Sequence, residues 1–211
     1  MSWREKPAHA EITVQPIVQN GTNFNDRYVR DFDTLAAVVK KLKAQGLRIV
    51  LTQGVFDLIH EGHAKYLEFA KSYGDVLIVG VDSDELTRLR KGNGRPIVPQ
   101  QERIHMLVHL RHVDVVVVRE AKHDIGDLIR VVEPDVLVIS SGTKDFTKDM
   151  ATNKKMRHEY EEICGEIVTL EPQATTSTSA RIRDLTIEGA EKLAGEINQL
   201  TRDFINKIRS S

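Results

Sequence analysis

The stretch QGVFDLIHEGH, residues 53–63, joins a run of apolar residues to an amphipathic segment. This order predicts a buried strand that turns through Gly54 into a helix. The first N–H groups of such a helix have no partner within it, so they form a site for an anion. His60 and His63 stand at the mouth of this helix, and Gly62 between them leaves the backbone open to close approach. Imidazoles beside a helix N-terminus suit phosphate chemistry, so the stretch predicts a phosphate site.

Apolar runs alternate with helical patterns on both sides of this stretch. The runs predict five strands, at 48–52, 75–81, 113–118, 136–139 and 167–170. Helical spacing predicts a helix that Asp33 caps, followed by helices at 64–72, 100–110, 125–132 and 149–162. Such continuous runs of Val, Ile and Leu are typical of parallel strands covered on both faces. The predicted fold class is α/β, a doubly wound, mostly parallel five-stranded Rossmann-like sheet with helices on both faces.

The sequence divides into three parts. Residues 1–32 are polar and irregular and form an N-terminal arm or cap, in which only 12–18 has the pattern of a short extended piece. Residues 33–186 form the α/β domain. Residues 187–211 form a C-terminal helix with a narrow apolar seam, made of Ala190, Leu193, Ile197, Leu200 and Phe204. The seam either packs on the chain's own domain or forms a dimer contact, and we predict a homodimer.

Composition narrows the class of protein. The 211 residues are 40% hydrophobic and carry a formal net charge of -1, whereas a nucleic-acid binder usually shows a basic excess. A single cysteine, Cys164, excludes an internal disulfide and a multi-cysteine metal site. No apolar run approaches the roughly 20 residues that cross a membrane, and the first residues have no signal-peptide core. We therefore expect a cytoplasmic protein that binds neither nucleic acid nor membrane.

Residues of the turn and of the second strand's carboxyl end also have predicted roles. We expect Phe56 to plug the core beneath the turn and Asp57 to accept hydrogen bonds that hold the turn's shape. Asp82, Ser83 and Asp84 follow the second strand, where carboxylates can bind sugar hydroxyls or help to hold Mg²⁺. They can equally cap the next helix, a role that we prefer for Ser83 and leave open for Asp82.

Two further segments carry groups that suit phosphate binding. Arg88, Arg90 and Lys91 form a basic run on a glycine-containing loop that extends through 92–96. This run either closes over a triphosphate or is an ordinary solvated surface. Residues 175–183, TTSTSARIR, follow the fifth strand and open a helix. Their hydroxyls and arginines form a phosphate cradle in one interpretation and an ordinary helix cap in the other, and we favour the cradle.

These same segments resemble a known family. GVFDLIHEGH, residues 54–63, resembles the G-x-F-D-x-x-H-x-G-H motif of the cytidylyltransferase-like nucleotidyltransferases, and STSARI, residues 177–182, resembles their second motif. KGNGRPIVP at 91–99, with Arg103 and with LRHVD at 110–114, is similar to the adenylyltransferases that act on heptose 1-phosphate. Glycerol-3-phosphate and ethanolamine-phosphate cytidylyltransferases share much of this layout. The resemblance covers roughly residues 33–185, the size of a domain.

The resemblance implies nucleotidyl transfer from a nucleoside triphosphate, ATP before CTP, to a small phosphorylated substrate, with release of pyrophosphate and with Mg²⁺ on the phosphates. It implies no metal ligand from the protein, unless Asp82 lies near the ion. His60 and His63 would hold the transferring phosphate, with Arg90 and Lys91 completing the catalytic group. Lys65 and Arg103 are candidates for contacts with the acceptor phosphate or the triphosphate. The implied nucleotide-binding residues are Gly54, Val55, Phe56, Asp57, Gly62, Lys65, Asp82, Arg103, Thr176, Ser177, Thr178, Ser179 and Arg181.

One departure from the family leaves the substrates open. Where the heptose enzymes usually carry a Lys-Gly-Gly-Asp run, residues 139–145 read ISSGTKD, so neither the base nor the acceptor is fixed. The alternatives are a cytidylyltransferase that acts on a small polyol or amino-alcohol phosphate, and a nucleotide-binding regulator without turnover. The intact histidines and the intact Ser177 and Thr178 argue against the regulator. An aminoacyl-adenylate type of ligase is disfavoured by the short chain and by the lack of a basic surface.

Overall fold

The computed structural model describes residues 14–19, 21, 23–141, 154–171 and 178–209. It divides into two compact units, Met1–Gln173 and Ala174–Ser211. Part of the predicted helix at 149–162, most of the stretch at 139–145 and the predicted site residues Thr176 and Ser177 lie outside the described residues. No helix within the described ranges is long and apolar enough to span a membrane.

Among the described residues, the first unit is built on a six-stranded parallel sheet. Its strands are β1 (Tyr28–Val29), β2 (Ile49–Gly54), β3 (Val76–Asp82), β4 (Val115–Arg119), β5 (Val136–Ser140) and β6 (Glu166–Leu170). In space they lie in the order β1-β4-β3-β2-β5-β6, and each neighbouring pair is parallel. The predicted α/β fold with a parallel Rossmann-like sheet is confirmed.

The helices that the structure describes in the first unit are α1 (Gln15–Val18), α2 (Phe24–Arg27), α3 (Phe32–Ala44), α4 (Glu61–Lys71), α5 (Asp84–Lys91), α6 (Gln100–Val108), α7 (Asp127–Val132) and α8 (Lys154–Ile163). The described part of the second unit is one long helix, α9 (Thr178–Arg209). The helix that opens within TTSTSARIR and the predicted C-terminal helix are therefore one continuous element.

Helices cover both faces of the sheet, and each face has its own apolar core. On one face Ile78 packs in a cluster with Leu35 of α3 and Leu128 of α7. On the other face its neighbour Leu77 belongs to a second cluster, which contains Leu67 of α4. Successive side chains of a strand point to opposite faces, so a strand covered on both sides reads as an unbroken apolar run. This explains the apolar runs of β2 to β5, whereas β6, at the edge of the sheet, is only partly buried.

The order of the strands reverses beside β2. From β2 the chain moves through β3 and β4 on one side, and it then crosses back to add β5 and β6 on the other side. Such a reversal leaves a crevice at the carboxyl ends of the strands, where open parallel sheets bind their ligands. Gly54 ends β2 at this edge, so residues 53–63 leave the sheet at the place where a ligand is expected.

Three predicted details are wrong. The sheet has a sixth strand, β1, within the predicted arm, because a two-residue edge strand is too short to show a period. Gln15–Val18 forms a helix rather than an extended piece, since Pro16 stands at its start, where the fixed φ of proline suits a helix. α3 is capped by Asp31 and not by Asp33, because the Asp31 carboxylate accepts the N–H of Thr34 at 2.7 Å.

Candidate active site

The turn between β2 and α4 has a constrained backbone. Phe56 and Leu58 have positive φ angles of 51° and 46°, which residues with a side chain rarely adopt. Phe56 is nevertheless buried, with 6% of its surface exposed, and its ring centroid lies 5.7 Å from that of His63. The predicted role of Phe56 as a plug of the core is confirmed. Such conformations persist where the surrounding structure enforces them, and they concentrate at functional sites.

His60 caps the helix that it precedes. Its Nδ1 accepts the backbone N–H of Gly62 at 3.1 Å. A neutral imidazole whose Nδ1 accepts a hydrogen bond carries its proton on Nε2, so Nε2–H is the donor side of this ring. The ring centroids of His60 and His63 lie 4.1 Å apart. The structure therefore brings the two predicted histidines together at the N-terminus of α4.

His63 is held in its neutral form. Burial lowers the pKa of its imidazole from 6.5 to about 4, with further lowering by His60 and, to a smaller degree, by Lys91, while Asp57 opposes the change. Its Nδ1 is buried and has no hydrogen-bond partner among the described residues. Buried polar atoms are normally paired, so this ring nitrogen points to a partner that the described protein atoms do not supply.

The carboxylate of Asp57 fastens the turn to the segment before α6. It accepts the N–H groups of Ile97 and Val98 at 3.0 and 2.9 Å, and it lies 3.2 Å from Nε of Arg95. The side chain is buried. The predicted role of Asp57, to accept hydrogen bonds that hold the turn, is confirmed, and the glycine-containing loop is tied to the turn through it.

Asp82, at the end of β3, forms a buried charge cluster with two arginines. Its Oδ1 accepts from Nη1 of Arg119 at 2.8 Å, and its Oδ2 accepts from Nη1 of Arg90 at 3.0 Å. Both carboxylate oxygens are thus engaged by guanidinium groups, and the suggestion of Mg²⁺ near Asp82 stays a prediction. Within the described ranges, no group of three His, Cys, Asp or Glu side chains is arranged to hold a metal ion.

The basic run lies on a helix and not on a loop, which corrects the prediction. The hydroxyl of Ser83 accepts the N–H of Leu86 and caps α5, as predicted. Arg90 and Lys91 occupy the last turn of α5, where the helix dipole favours cations. The helix ends at Gly92, whose φ of 90° is easy for glycine, and the loop begins only there.

Arg103 ties parts of the site together from within the protein. Its guanidinium donates hydrogen bonds of 2.6–2.9 Å to four acceptors, which are the carbonyls of Val98, Val55 and Asp82 and the carboxylate of Asp84. The residue is 1% exposed. This placement describes a structural role and leaves the predicted contact of Arg103 with phosphate without support.

A pocket lies at the carboxyl ends of β2 to β5, and neither His60 nor His63 is among the residues that line it. It is lined by Gln53, Gly54, Val55, Asp82, Arg90, Lys91, Arg119, Ile125, Ile139 and Ser140. Half of them are predicted site residues, whereas Gln53 and Arg119 were not assigned a role in the sequence. A signal for both existed, since each is a polar residue near the end of an apolar strand, where the crevice of such a fold lies.

Other predicted residues lie apart from this pocket or are not tested. Lys65 is exposed on α4 and forms an ion pair with Glu61, one turn earlier. Thr178, Ser179 and Arg181 lie in the first turn of α9, which belongs to the second unit. The phosphate cradle at this helix start therefore stays a prediction.

Comparison with known proteins identifies the family. A family model described as cytidylyltransferase-like matches residues 51–184. The matched range contains the turn with His60 and His63, α5 and the helix start at Thr178. The chain belongs to the cytidylyltransferase-like family of nucleotidyltransferases, and the predicted family is confirmed.

Individual relatives carry one recurring name. The chain is 37% identical over 173 residues to the "Bifunctional protein HldE" of Geobacter sulfurreducens, and the match covers 82% of this chain and 34% of that protein. It is 36% identical over 159 residues to the protein of the same name from Geotalea uraniireducens, with 75% and 32% covered. The chain thus spans about a third of the length of these relatives.

Solved structures agree on the fold. The chain is similar to a pantoate-beta-alanine ligase of Francisella tularensis, with a TM-score of 0.53 and 17% identity over 72% of this chain and 69% of that one. It is also similar to a pantothenate synthetase of Thermus thermophilus, with a TM-score of 0.50 and 13% identity over 69% of this chain and 61% of that one. At these identities the likeness concerns the fold alone.

Proposed function

We propose that this chain transfers a nucleoside monophosphate from ATP to a phosphorylated sugar such as heptose 1-phosphate, with release of pyrophosphate. The observation that carries the proposal is the pair of imidazoles at the N-terminus of α4, whose centroids lie 4.1 Å apart. An oxygen of the sugar phosphate attacks the α-phosphorus of the nucleotide as the bond to pyrophosphate breaks. This exchange needs no covalent bond to the protein, so the protein contributes position and charge stabilisation.

The two histidines have different parts in this reaction. His60 presents Nε2–H to the phosphate under attack, since its Nδ1 is engaged by Gly62. His63 begins as a neutral ring, and its pKa rises when a phosphate lies beside it, because a nearby negative charge favours the protonated form. Both donors, with the N–H groups at the start of α4, stabilise the negative charge that builds during the attack.

The pocket at the strand ends supports an anionic substrate. Three cations, Arg90, Lys91 and Arg119, line it against a single carboxylate, Asp82. A lining with an excess of positive charge concentrates anions such as nucleotide and sugar phosphates. We include residues 176–181 as the binding site of the outer phosphates of the nucleotide. The choice of ATP and a heptose phosphate rests on the resemblance of the motifs at 91–99 and 110–114 to the adenylyltransferases that act on heptose 1-phosphate.

The Mg²⁺ ion of the proposed reaction is bound to the phosphates of the nucleotide. The described residues offer no carboxylate cluster that fits the ion, so we propose that Mg²⁺ arrives on the triphosphate as part of the substrate.

Release of pyrophosphate tests the proposal. The protein is incubated with Mg²⁺, each of the four nucleoside triphosphates in turn, and heptose 1-phosphate, hexose 1-phosphates or glycerol 3-phosphate. We expect turnover with ATP and a sugar 1-phosphate. Turnover with CTP and glycerol 3-phosphate alone would replace the proposal with the cytidylyltransferase alternative, and no release with any pair would refute it.

A matched pair of variants tests the histidine. His63→Ala should lower the rate by about a hundredfold or more, because it removes a stabilising group from the transition state. His158→Ala is the control, since His158 is an exposed histidine on α8, and it should keep the wild-type rate. Equal rates in the two variants would remove His63 from the mechanism.

A further inference from the structure

Two buried polar atoms of the pocket have no partner in the described protein. They are Oε1 of Gln53 and Nε of Arg119, and neither has a hydrogen-bond partner among the described residues. Both residues line the pocket at the ends of the strands. Buried polar atoms are nearly always paired in folded proteins, so two of them in one pocket indicate a partner that binds there.

The rest of each side chain is fixed by the protein. Nε2 of Gln53 donates to the carbonyl of Ile125 at 3.1 Å, which assigns the other end of the amide as the unpaired acceptor. Nη1 of Arg119 donates to Asp82 at 2.8 Å, and the residue is 2% exposed. Both unpaired atoms therefore belong to side chains that are already held in place.

The two side chains flank Gly80 of β3 from the strands on its two sides. In the sheet Gln53 is the partner of Gly80, and Arg119 lies on the neighbouring strand on the other side of β3. A Cβ on Gly80 would lie 3.3 Å from both Cβ of Gln53 and Cδ of Arg119. The atom nearest to that position is Cδ2 of Leu128, so the absent side chain of Gly80 makes room for Leu128, and the side chains of Gln53 and Arg119 border the same spot.

Both atoms belong to residues that line the same pocket, and together they require a group that donates and accepts. Oε1 of Gln53 needs a donor, and Nε–H of Arg119 needs an acceptor, and a hydroxyl group is both at once. A phosphate oxygen suits the arginine and is repelled by Oε1, while an ammonium group suits Oε1 and is repelled by the guanidinium. We infer that Gln53 and Arg119 together bind one hydroxyl group of a substrate, an inference that rests on the proposed nucleotidyl transfer to a sugar phosphate. The hydroxyl belongs either to the acceptor sugar or to the ribose of the nucleotide.

Two substitutions each remove one of the two unpaired polar atoms. Gln53→Met keeps the length of the side chain and removes the acceptor, and Arg119→Lys keeps a positive charge beside Asp82 and removes the Nε donor. kcat and KM are measured with heptose 1-phosphate and its singly deoxygenated analogues, and with ATP and its 2′-deoxy and 3′-deoxy analogues. Gln45→Met, at an exposed glutamine after α3, is the matched control. Thermal unfolding of each variant checks that the fold is intact.

In the wild type, removal of the bound hydroxyl should lower kcat/KM by about tenfold or more, because it leaves both buried atoms unpaired. Each of the variants Gln53→Met and Arg119→Lys should have a KM for the hydroxylated substrate that is higher by about the same factor. Each should also use the hydroxylated substrate and its matching deoxy analogue with equal kcat/KM. The double variant should add little further loss, since the two residues share one partner. If the difference between substrate and deoxy analogue disappears for the ATP analogues, the hydroxyl belongs to the ribose. If it disappears for the heptose analogues, the hydroxyl belongs to the acceptor sugar.

The inference would be overturned if both variants still preferred the hydroxylated substrate to its deoxy analogue as strongly as the wild type does. A variant in which only the preference among nucleotide bases changes would overturn it as well. Failure of the proposed function is distinguishable, since the wild type would then release no pyrophosphate. Calorimetric binding of ATP and of heptose 1-phosphate then replaces turnover. A dissociation constant about tenfold weaker in Gln53→Met than in the wild type for either ligand supports the inference, and equal constants for both overturn it.

Discussion

The burial of His63 makes the stability of this protein dependent on pH. Burial and the neighbouring His60 lower the pKa of the ring from 6.5 to about 4, so between these values the unfolded chain binds a proton that the folded chain does not. The stabilising contribution of the neutral ring is therefore complete above pH 6.5 and is lost as the pH falls towards 4. We expect acid to weaken the fold through this residue, beyond the effect of the carboxylates.

Urea unfolding near pH 7 and near pH 4 measures this effect. The loss of unfolding free energy between the two conditions should be smaller in His63→Gln than in the wild type, by up to about 3 kcal/mol. His158→Gln, on the surface of α8, should keep the wild-type dependence. An identical loss in His63→Gln and in the wild type would show that the ring titrates normally in the folded chain.

At the scale of single residues, local roles were predictable and distant partners were not. The motif that contains Asp57 predicts that its carboxylate holds a turn, yet its partners Ile97 and Val98 lie about 40 residues further along the chain. Asp82 was recognised at a strand end, but its pairing with Arg119 depends on the adjacency of β3 and β4. A sequence shows which groups can pair, and the three-dimensional fold decides which of them do.

Among the elements, α5 shows why the sequence pattern does not reveal a helix beneath the basic run. Its sequence, DELTRLRK, has two leucines, of which Leu86 is buried and Leu89 is 71% exposed, so it carries no apolar stripe. Its stability comes from its ends, where Ser83 caps the first turn and cations occupy the last one. Longer elements with an apolar face, such as α3, were predicted because their pattern repeats over several turns.

The geometry of the site depends on the position of α6, because α6 carries Arg103. The side chain of Arg103 reaches the carbonyl of Val55 after β2 and the carbonyl of Asp82 at the end of β3. Because the planar guanidinium serves four acceptors at once, a lysine cannot replace it: its three N–H groups leave one point and cannot reach all four. The side chain therefore fixes the spacing between the two strand ends that flank the pocket.

We expect Arg103→Lys to lower the unfolding free energy by about 2–4 kcal/mol, since buried carbonyls and a carboxylate lose their partner. In the pyrophosphate assay kcat/KM should fall as well, with kcat and KM both affected, because the loops that hold the substrates shift. Arg88→Lys, at an exposed position of α5, is the control and should change neither quantity. A loss of activity without a loss of stability would contradict this role and return Arg103 to direct contact with phosphate.

For the molecule as a whole, the parallel sheet could be predicted and the convergence of residues at its edge only in part. The rule that ligands bind where the strand order reverses places the site at the end of β2, and Gly54 lies there. The rule does not name the side chains that β4 and β5 bring to that edge, such as Arg119 and Ser140. Their position follows from the order of the strands in space, which the sequence pattern leaves open.

The apolar seam of α9 leads to a prediction about assembly. Within the described part of this helix, Leu193, Ile197 and Leu200 are 57%, 54% and 69% exposed. They recur at spacings of four and three residues, the pattern of a helix that packs along another helix. An apolar row of this kind marks a surface that another element covers, either the chain's own first unit or a second copy of this chain, which supplies a matching row.

We expect the wild-type chain to form a dimer through this seam, and light scattering after size exclusion measures its mass. Replacing Leu193, Ile197 and Leu200 together with glutamine should halve the measured mass, because the apolar row is lost while glutamine keeps the helix favourable. A control with Glu191→Gln and Lys192→Gln changes the same helix outside the seam and should remain dimeric. Thermal unfolding of the triple variant reports whether the separated chain still folds. A wild-type mass equal to one chain would assign the seam to a contact other than self-association.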